Sequence, residues 1–166
     1  MSTIEHLTAA DHAAVGCLLL EAYADYAERM GADAWKRLSD GLAQAAGQLR
    51  DAEIAGVRGA AGLAAVVFYF PPGKSDGKIF PREWASLRLL GVAQSARGRG
   101  LSRLLTEWCI ARARDQGAAR IGLHTSEAMT TARGLYERMG FVVDGDLPMS
   151  FGLRYWRFRL DLQRRA

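Results

Sequence analysis

The most constraining feature of this sequence is a glycine- and arginine-rich segment, Arg97-Gly98-Arg99-Gly100-Leu101-Ser102, between an apolar strand pattern and an amphipathic helix pattern. The first N–H groups of a helix lack partners within the helix, and the helix dipole adds partial positive charge there. Glycines let an anion approach the backbone, while Arg97, Arg99 and Arg103 raise the positive potential. The segment predicts a loop that binds a diphosphate. Taken alone, it leaves open an arginine-rich turn whose glycines serve only backbone geometry.

Two other kinds of phosphate loop are disfavoured by their spacing. The dinucleotide fingerprint G-x-G-x-x-G fails because Arg103 occupies the third glycine position. Gly73-Lys74-Ser75 resembles the end of a Walker A loop, but Phe68 stands where its first glycine belongs. Gly77 and Pro81 also disfavour the helix that such a loop needs. We therefore expect neither a nicotinamide cofactor nor nucleotide hydrolysis.

The bulk properties set the class of protein. A chain of 166 residues that is 49% hydrophobic and 24% charged fits one compact domain, spanning 1–166. The longest apolar run, Gly62 to Phe70, is too short to cross a bilayer, and the first residues are too polar for a signal peptide. We expect a cytoplasmic protein with no membrane partner. Cys17 and Cys109 fall in helical apolar patterns, which predicts reduced thiols in the core. The net charge of +4 mildly favours anionic ligands.

Hydrophobic periodicity predicts helices and strands in the order ααββ-β-α-β-α-ββ. The first helix is opened by a capping box at Thr8–Asp11 and runs to Tyr26, and the other helices are predicted over 35–49, 98–117 and 132–140. The strands are predicted at 53–57, 63–70, 84–92, 120–125, 141–143 and 151–162, with loops over 71–81 and 144–150. Thr125 and Ser126 are expected to cap the last helix. The fold class is α/β of the mixed α+β kind, with helices packed on a mixed sheet.

Two motifs in the second half of the chain carry a family resemblance. Val92-Ala93-Gln94-Ser95-Ala96-Arg97-Gly98-Arg99-Gly100-Leu101 resembles the coenzyme-binding segment of the GNAT acetyltransferases. Ala132-Arg133-Gly134-Leu135-Tyr136-Glu137-Arg138-Met139-Gly140-Phe141 resembles their following helix and strand start. The resemblance covers about Trp84 to Val143. It implies a GNAT-type fold: a central mixed, mostly antiparallel sheet flanked by about four helices, in one N-acetyltransferase domain.

The same resemblance implies a site for acetyl-CoA as co-substrate. The backbone of 97–102 would hold its diphosphate, and the strand around 90–92 would pair with its pantetheine arm. The residues expected to bind the coenzyme are Leu90, Gly91, Val92, Arg97, Gly98, Arg99, Gly100, Leu101, Ser102, Arg103 and Ala132. The chain departs from the family at three positions, where Gln94 replaces a frequent proline, Ser102 a glycine or alanine, and Met129 an asparagine.

The implied reaction is transfer of acetyl to a primary amine, of a small molecule or a protein, by direct attack on the thioester. The resemblance places Tyr136 near the departing sulfur, although its place on an apolar stripe also suits a core aromatic. A phenol of pKa ~10 protonates a thiolate of pKa ~8.5 only uphill, by roughly 2 kcal/mol, so Tyr136 stabilises the thiolate before protonating it. Glu83, just before the central strand, is the candidate base, with an exposed strand-end carboxylate as the alternative.

The acceptor determines how much a base matters. An amine of pKa ~10.4 is neutral about once in 2,500 molecules at pH 7, a penalty near 4.6 kcal/mol, whereas an α-amine of pKa ~8 loses about 1.4 kcal/mol. Asp25, Glu28, Asp144 and Asp146 could attract a cationic amine, but scattered carboxylates need no such purpose. No motif names the acceptor, and a homodimer is possible.

Alternative functions remain open at this point. A non-catalytic acyl-CoA-binding regulatory module would keep the same fold without turnover. Arginines and aromatics interleave over 154–159, a pattern that suits single-stranded nucleic acid, but a final strand with one solvated face explains it better. We expect no nucleic-acid partner. His6, His12 and His124 lack metal-ligand spacing, so we expect no metal.

Overall fold

The computed structural model describes residues 2–162, within which it shows four α-helices and seven β-strands. The helices are α1 (His12–Tyr23), α2 (Ala32–Gln48), α3 (Leu101–Asp115) and α4 (Thr130–Arg138). The strands are β1 (Ile4–His6), β2 (Glu53–Gly59), β3 (Gly62–Phe70), β4 (Ala85–Val92), β5 (Arg120–Ser126), β6 (Val142–Ser150) and β7 (Leu153–Asp161). All four predicted helices and all six predicted strands are present.

The strands form one sheet in the order β1-β2-β3-β4-β5-β7-β6. Every neighbouring pair is antiparallel except β4 and β5, which run parallel. Helices α1 and α3 pack against β3 and β4, α2 packs on α1, and α4 packs against β5. This arrangement confirms the predicted mixed, mostly antiparallel sheet with four helices.

The carboxy-terminal hairpin corrects two sequence predictions. Residues 144–150, predicted as a loop, belong to β6, which pairs with β7 through two register shifts. Such bulges break the period of two by which a strand is recognised in a sequence, which explains the error. Thr125 and Ser126 end β5 instead of capping α4, because α4 begins only at Thr130.

The amino-terminal part differs from expectation in two further ways. A three-residue edge strand, β1, pairs with β2 and is too short to show a sequence period. Cys17 is exposed on α1, whereas Cys109 is buried in α3 as predicted. The capping box is present at the 3₁₀ turn Ala9–Asp11, which leads into α1, and in it the Thr8 N–H donates to Oδ2 of Asp11 at 2.9 Å.

Gly122 lets aromatic side chains lie directly on the sheet where β4 and β5 meet. A Cβ atom at this position would lie 2.6 Å from Cδ1 of Phe80 and 3.1 Å from Cε3 of Trp84. Both aromatic side chains are buried. Glycine is therefore required for the loop after β3 to be anchored on the parallel strand pair.

We expect Gly122→Ala to lower the free energy of unfolding by about 1–3 kcal/mol, because the added methyl group overpacks against Phe80. Gly41→Ala is the matched control, since no atom lies within 4 Å of its Cβ position in α2 and alanine favours a helix by about 0.5–1 kcal/mol over glycine. Urea denaturation of both variants measures the difference. Equal stabilities of the two variants would contradict the packing argument.

Candidate active site

A deep cleft opens where β4 and β5 separate. The two strands pair only at Ala85 with Ile121 and at Ser86 with Gly122. Beyond this point β4 carries a register shift against β3, and Leu89 adopts a φ of 53°, in the left-handed region. The strands consequently diverge and enclose a cleft of about 1010 Å³. Its walls are β4 from Leu87, the end of β5, α1, α2, α4, β6 and the loop before α3.

The glycine-rich loop lies at one end of this cleft. Gly98 and Gly100 have φ values of 76° and 75°, a conformation that residues with a Cβ rarely adopt. Gly100 is the N-cap of α3, and no side chain caps that helix by a hydrogen bond. The first N–H groups of α3 are therefore left for a ligand, and the alternation of left- and right-handed backbone at 100–101 turns neighbouring N–H groups toward one side.

Helix α1 and the turn after it hold this loop in place. Oε1 of Glu21 accepts a hydrogen bond from the Gln94 N–H at 2.8 Å. Arg97 donates to Oδ2 of Asp25 at 2.6 Å and to the Ala22 carbonyl at 3.2 Å. The Arg97 guanidinium is thus partly used in bonds within the protein. The predicted contact of Arg97 with a diphosphate would therefore be made by its backbone. A proline in place of Gln94 could not make the bond to Glu21, so this departure from the family has a structural use.

The structure brings most of the predicted site residues together. Of the eleven residues predicted to bind the coenzyme, all except Arg99 line the cleft, as does Tyr136. Glu83 is exposed in the turn before β4 and does not line the cleft. Glu83 lies outside the cleft because it precedes Ala85 and Ser86, the two residues at which β4 is still paired with β5. Its role as a base therefore stays a sequence prediction without geometric support.

Tyr136 is buried on α4, with its ring packed edge-on against Phe141 at 5.8 Å between centroids. Both sequence interpretations of this residue, a core aromatic and a group facing the site, describe its position. Burial raises the pKa of the Tyr136 hydroxyl well above its usual value. The phenol is consequently neutral at any physiological pH and can donate a hydrogen bond.

Sequence reasoning assigned no bound ligand to three polar groups that line the cleft. Nε of Arg88, Nδ1 of His124 and Oγ1 of Thr125 are buried, and each lacks a hydrogen-bond partner among residues 2–162. All three residues line the cleft. The available signal was Arg88 itself, a charged residue in the middle of the apolar run of β4. Native proteins leave few buried polar groups unpaired, so these three atoms mark positions where a ligand or an ordered water is expected to bind.

Charge in the cleft is strongly one-sided. Asp25 is the single carboxylate among its described lining residues, and Arg97 engages it. Six cationic side chains line the same space: Arg37, Lys78, Arg88, Arg97, Arg103 and Arg138. Of the other carboxylates considered as attractants for an amine, Asp144 accepts hydrogen bonds from Arg157 and Arg159, while Glu28 and Asp146 lie outside the cleft. Arg157 and Arg159, two of the arginines in the 154–159 pattern, are therefore bound to a carboxylate within the sheet.

Burial of the imidazole, reinforced by the positive charge of Arg88, lowers the pKa of His124 to about 4. His124 is therefore neutral at pH 7. Its nearest aromatic neighbours are Phe80 and Tyr155, at 6.0 and 5.8 Å between ring centroids. Because burial is the main cause of this lowered pKa, a positive charge is disfavoured at the position of the imidazole.

This shift predicts acid sensitivity of the fold. Below pH 6.5 the unfolded chain protonates His124, whereas the folded protein does so only near pH 4, so the free energy of unfolding falls as the pH falls through this window. We expect wild type to lose about 2 kcal/mol more than His124→Gln between pH 7 and pH 5. Urea denaturation at several pH values measures this. Parallel pH profiles of the two proteins would contradict it.

Within residues 2–162, no group of three or more His, Cys, Asp or Glu side chains is arranged to hold a metal ion. No helix in the same part of the chain has the length and apolar character needed to cross a membrane.

Comparison with known proteins places this geometry in a family. The model of the acetyltransferase (GNAT) family matches residues 59–141, half of the chain. A curated relative, the uncharacterized N-acetyltransferase YdgE of Bacillus subtilis, is 34% identical over 65 residues. The matched part covers 39% of this chain and only 41% of that relative.

Several solved structures share the fold over nearly their whole length. PH1933 from Pyrococcus horikoshii has a TM-score of 0.75 at 18% identity, covering 98% of this chain and 99% of that chain. The histone acetyltransferase HPA2 and related acetyltransferase from Corynebacterium glutamicum has 0.72 at 24%, covering 99% and 98%. YncA from Salmonella typhimurium, a putative acetyltransferase solved with its cofactor acetyl-CoA, has 0.67 at 20%, covering 100% and 96%. With the family model, these similarities show that the chain belongs to the GNAT acetyltransferase family.

Proposed function

We propose that this protein is an N-acetyltransferase that moves the acetyl group of acetyl-CoA to a primary amine. The observation that carries the proposal is the uncapped, glycine-flanked N-terminus of α3 at the mouth of a cleft that leads to Tyr136. The anion-binding helix end would hold the diphosphate of the coenzyme, and the buried neutral phenol would donate a hydrogen bond to the departing thiolate. Family membership supports the same reading.

The cleft offers groups that fit the diphosphate and the amide-bearing arm of the coenzyme. The N–H groups at 98–102 would hold the diphosphate, with Ser102 and Arg103 beside it. The backbone of 90–92 on β4 no longer pairs with β5, which leaves it available to an amide-bearing arm. Ala132 on α4 faces the same space. When bound, acetyl-CoA supplies the activated acyl group and a thiolate leaving group.

Tyr136 is the proposed catalytic residue. As the N–C bond to the amine forms and the C–S bond breaks, the electron pair of the C–S bond passes to sulfur. The Tyr136 hydroxyl would donate a hydrogen bond to that sulfur. Because burial raises the pKa of Tyr136, full proton transfer to the thiolate is unfavourable. Tyr136 therefore stabilises the leaving group chiefly by hydrogen bonding, and the proton lost by the amine passes to sulfur or solvent afterwards.

We expect Gly100→Glu to abolish binding of acetyl-CoA, because a carboxylate at this position repels the diphosphate. Gly117→Glu is the matched control, since both glycines have a φ of 75° with no atom within 4 Å of the Cβ position, but Gly117 lies outside the cleft. Calorimetric titration of wild type and both variants, with circular dichroism to verify folding, measures the effect. No binding by wild type, or equal binding by Gly100→Glu, would overturn the assignment of the coenzyme site.

We expect Tyr136→Phe to lower kcat roughly 10- to 100-fold with little change in KM for acetyl-CoA, since one hydrogen bond to a developing charge is lost. Tyr69→Phe is the control, because its hydroxyl donates to Gln116 at 2.6 Å outside the cleft. Thiol release across a panel of primary amines measures both.

Two results of that assay would count against the assigned roles. An unchanged kcat in Tyr136→Phe would remove Tyr136 from the mechanism. Coenzyme binding without turnover of any amine would favour a non-catalytic module. The same assay on Glu83→Gln decides whether the exposed carboxylate of Glu83 acts as the base.

A further inference from the structure

Arg88 is a partly buried charged side chain without an ion-pair partner among the described residues. It lies on β4, opposite Phe68 of β3, and is only partly exposed. None of the ion pairs among residues 2–162 includes it, and its Nε atom is both buried and without a hydrogen-bond partner. Burial lowers the pKa of its guanidinium, which shows that the charged form is poorly solvated.

A partly buried charge without an ion-pair partner destabilises a fold, and a buried polar atom without a hydrogen bond adds to that cost. Asp76 is the carboxylate whose charge acts on Arg88, but it lies beyond ion-pair distance. Its Oδ1 atom accepts hydrogen bonds from the N–H groups of Lys78 and Ile79 at 2.8 and 3.1 Å. Asp76 therefore fixes the loop before β4 and leaves the guanidinium of Arg88 without a direct partner.

The neighbours of Arg88 in the cleft continue the pattern. His124, whose pKa is lowered in part by the charge of Arg88, also presents a buried polar atom with no partner among the described residues. Lys78 and Arg37 line the same space, which contains no carboxylate other than Asp25. A cationic lining with free hydrogen-bonding groups suits an oxyanion. A guanidinium in particular binds a carboxylate or phosphate through two parallel hydrogen bonds.

We propose that the acceptor of this enzyme is a small primary amine that also carries a carboxylate or phosphate group, and that Arg88 binds this group in the cleft. The inference rests on the proposed acetyl transfer, whose acceptor it specifies. Arg88 precedes the left-handed residue Leu89 on β4, whereas the backbone of 90–92, proposed to bind the coenzyme, follows it. Acceptor and coenzyme would therefore occupy neighbouring segments of the same strand.

The test compares pairs of amines that differ only in the anionic group. The carboxylate arm uses glycine, L-alanine, L-leucine and L-phenylalanine against their α-amides, and the phosphate arm uses phosphoethanolamine against ethanolamine. A short peptide with a free N-terminus and a lysine represents macromolecular acceptors. Each amine is assayed for acetylation and, by calorimetry, for binding to protein saturated with coenzyme A.

The variant is Arg88→Met, which removes the charge but keeps a long side chain. Because an unpaired buried charge is replaced by an apolar group, we expect the variant to be at least as stable as wild type. Arg114→Met is the matched control, since it removes one positive charge from an exposed position outside the cleft. Calorimetric binding of acetyl-CoA to every variant shows whether the coenzyme site is intact.

We expect wild type to favour the anionic member of at least one pair by roughly 10- to 100-fold in kcat/KM and in affinity. Arg88→Met should lose that preference and retain acetyl-CoA binding, while Arg114→Met should keep both. The arm that responds identifies the anion as carboxylate or phosphate.

The proposal is overturned if neutral amines or the peptide are preferred, if no anionic amine binds, or if the preference survives in Arg88→Met. Failure of acetyl-CoA to bind wild type would instead defeat the proposed function. In that case binding of anionic amines to the protein alone still decides whether Arg88 forms an anion site.

Discussion

The parallel contact between β4 and β5 is limited to two residue pairs, and the site depends on this limit. Had the strands stayed paired, the backbone of 87–92 would be satisfied by β5 and no cleft would exist. The contact is secured at its closed end by Phe80 and Trp84 lying over Gly122. It is released at its open end by the left-handed backbone of Leu89, a conformation that costs a residue with a side chain about 1–2 kcal/mol. Strain at this point is thus coupled to the opening of the cleft.

Helix α1 converts that opening into a defined site. Its Glu21 holds the turn at Gln94, and the following Asp25 holds Arg97. Tyr23 donates a hydrogen bond of 3.5 Å to the Leu90 carbonyl, at the irregular part of β4. Gly91 permits this close approach, since a Cβ there would lie 3.2 Å from Cβ of Ala22. One helix therefore positions both the anion-binding loop and the strand segment beside it.

The sequence predicted the elements whose local chemistry is explicit and failed where pairing alone decides. The glycine loop, α3 and the apolar strands carry their own signals of turn chemistry and period. Strand β6 does not, because Gly145 and two register shifts break its alternation and only β7 makes it a strand. Glu83 shows the same limit in the site. Its closeness to β4 in the chain suggested a base, but only the register of β4 against β5 shows that it precedes the cleft.

Arg88 was visible in the sequence as a charge within an apolar strand. That it lacks a partner and lines the cleft could be learned only from the structure. The burial that chiefly lowers the pKa of His124, together with the charge of Arg88, acts on any cation brought beside this imidazole. An ammonium group would be disfavoured there, and a neutral amine favoured. A bound carboxylate paired with Arg88 would also cease to stabilise the ammonium form of its own amine. In the proposed binding mode Arg88 would hold the acceptor by its anion, and the poorly solvated surroundings would promote loss of the amine's proton, which would reduce the need for a carboxylate base in the cleft.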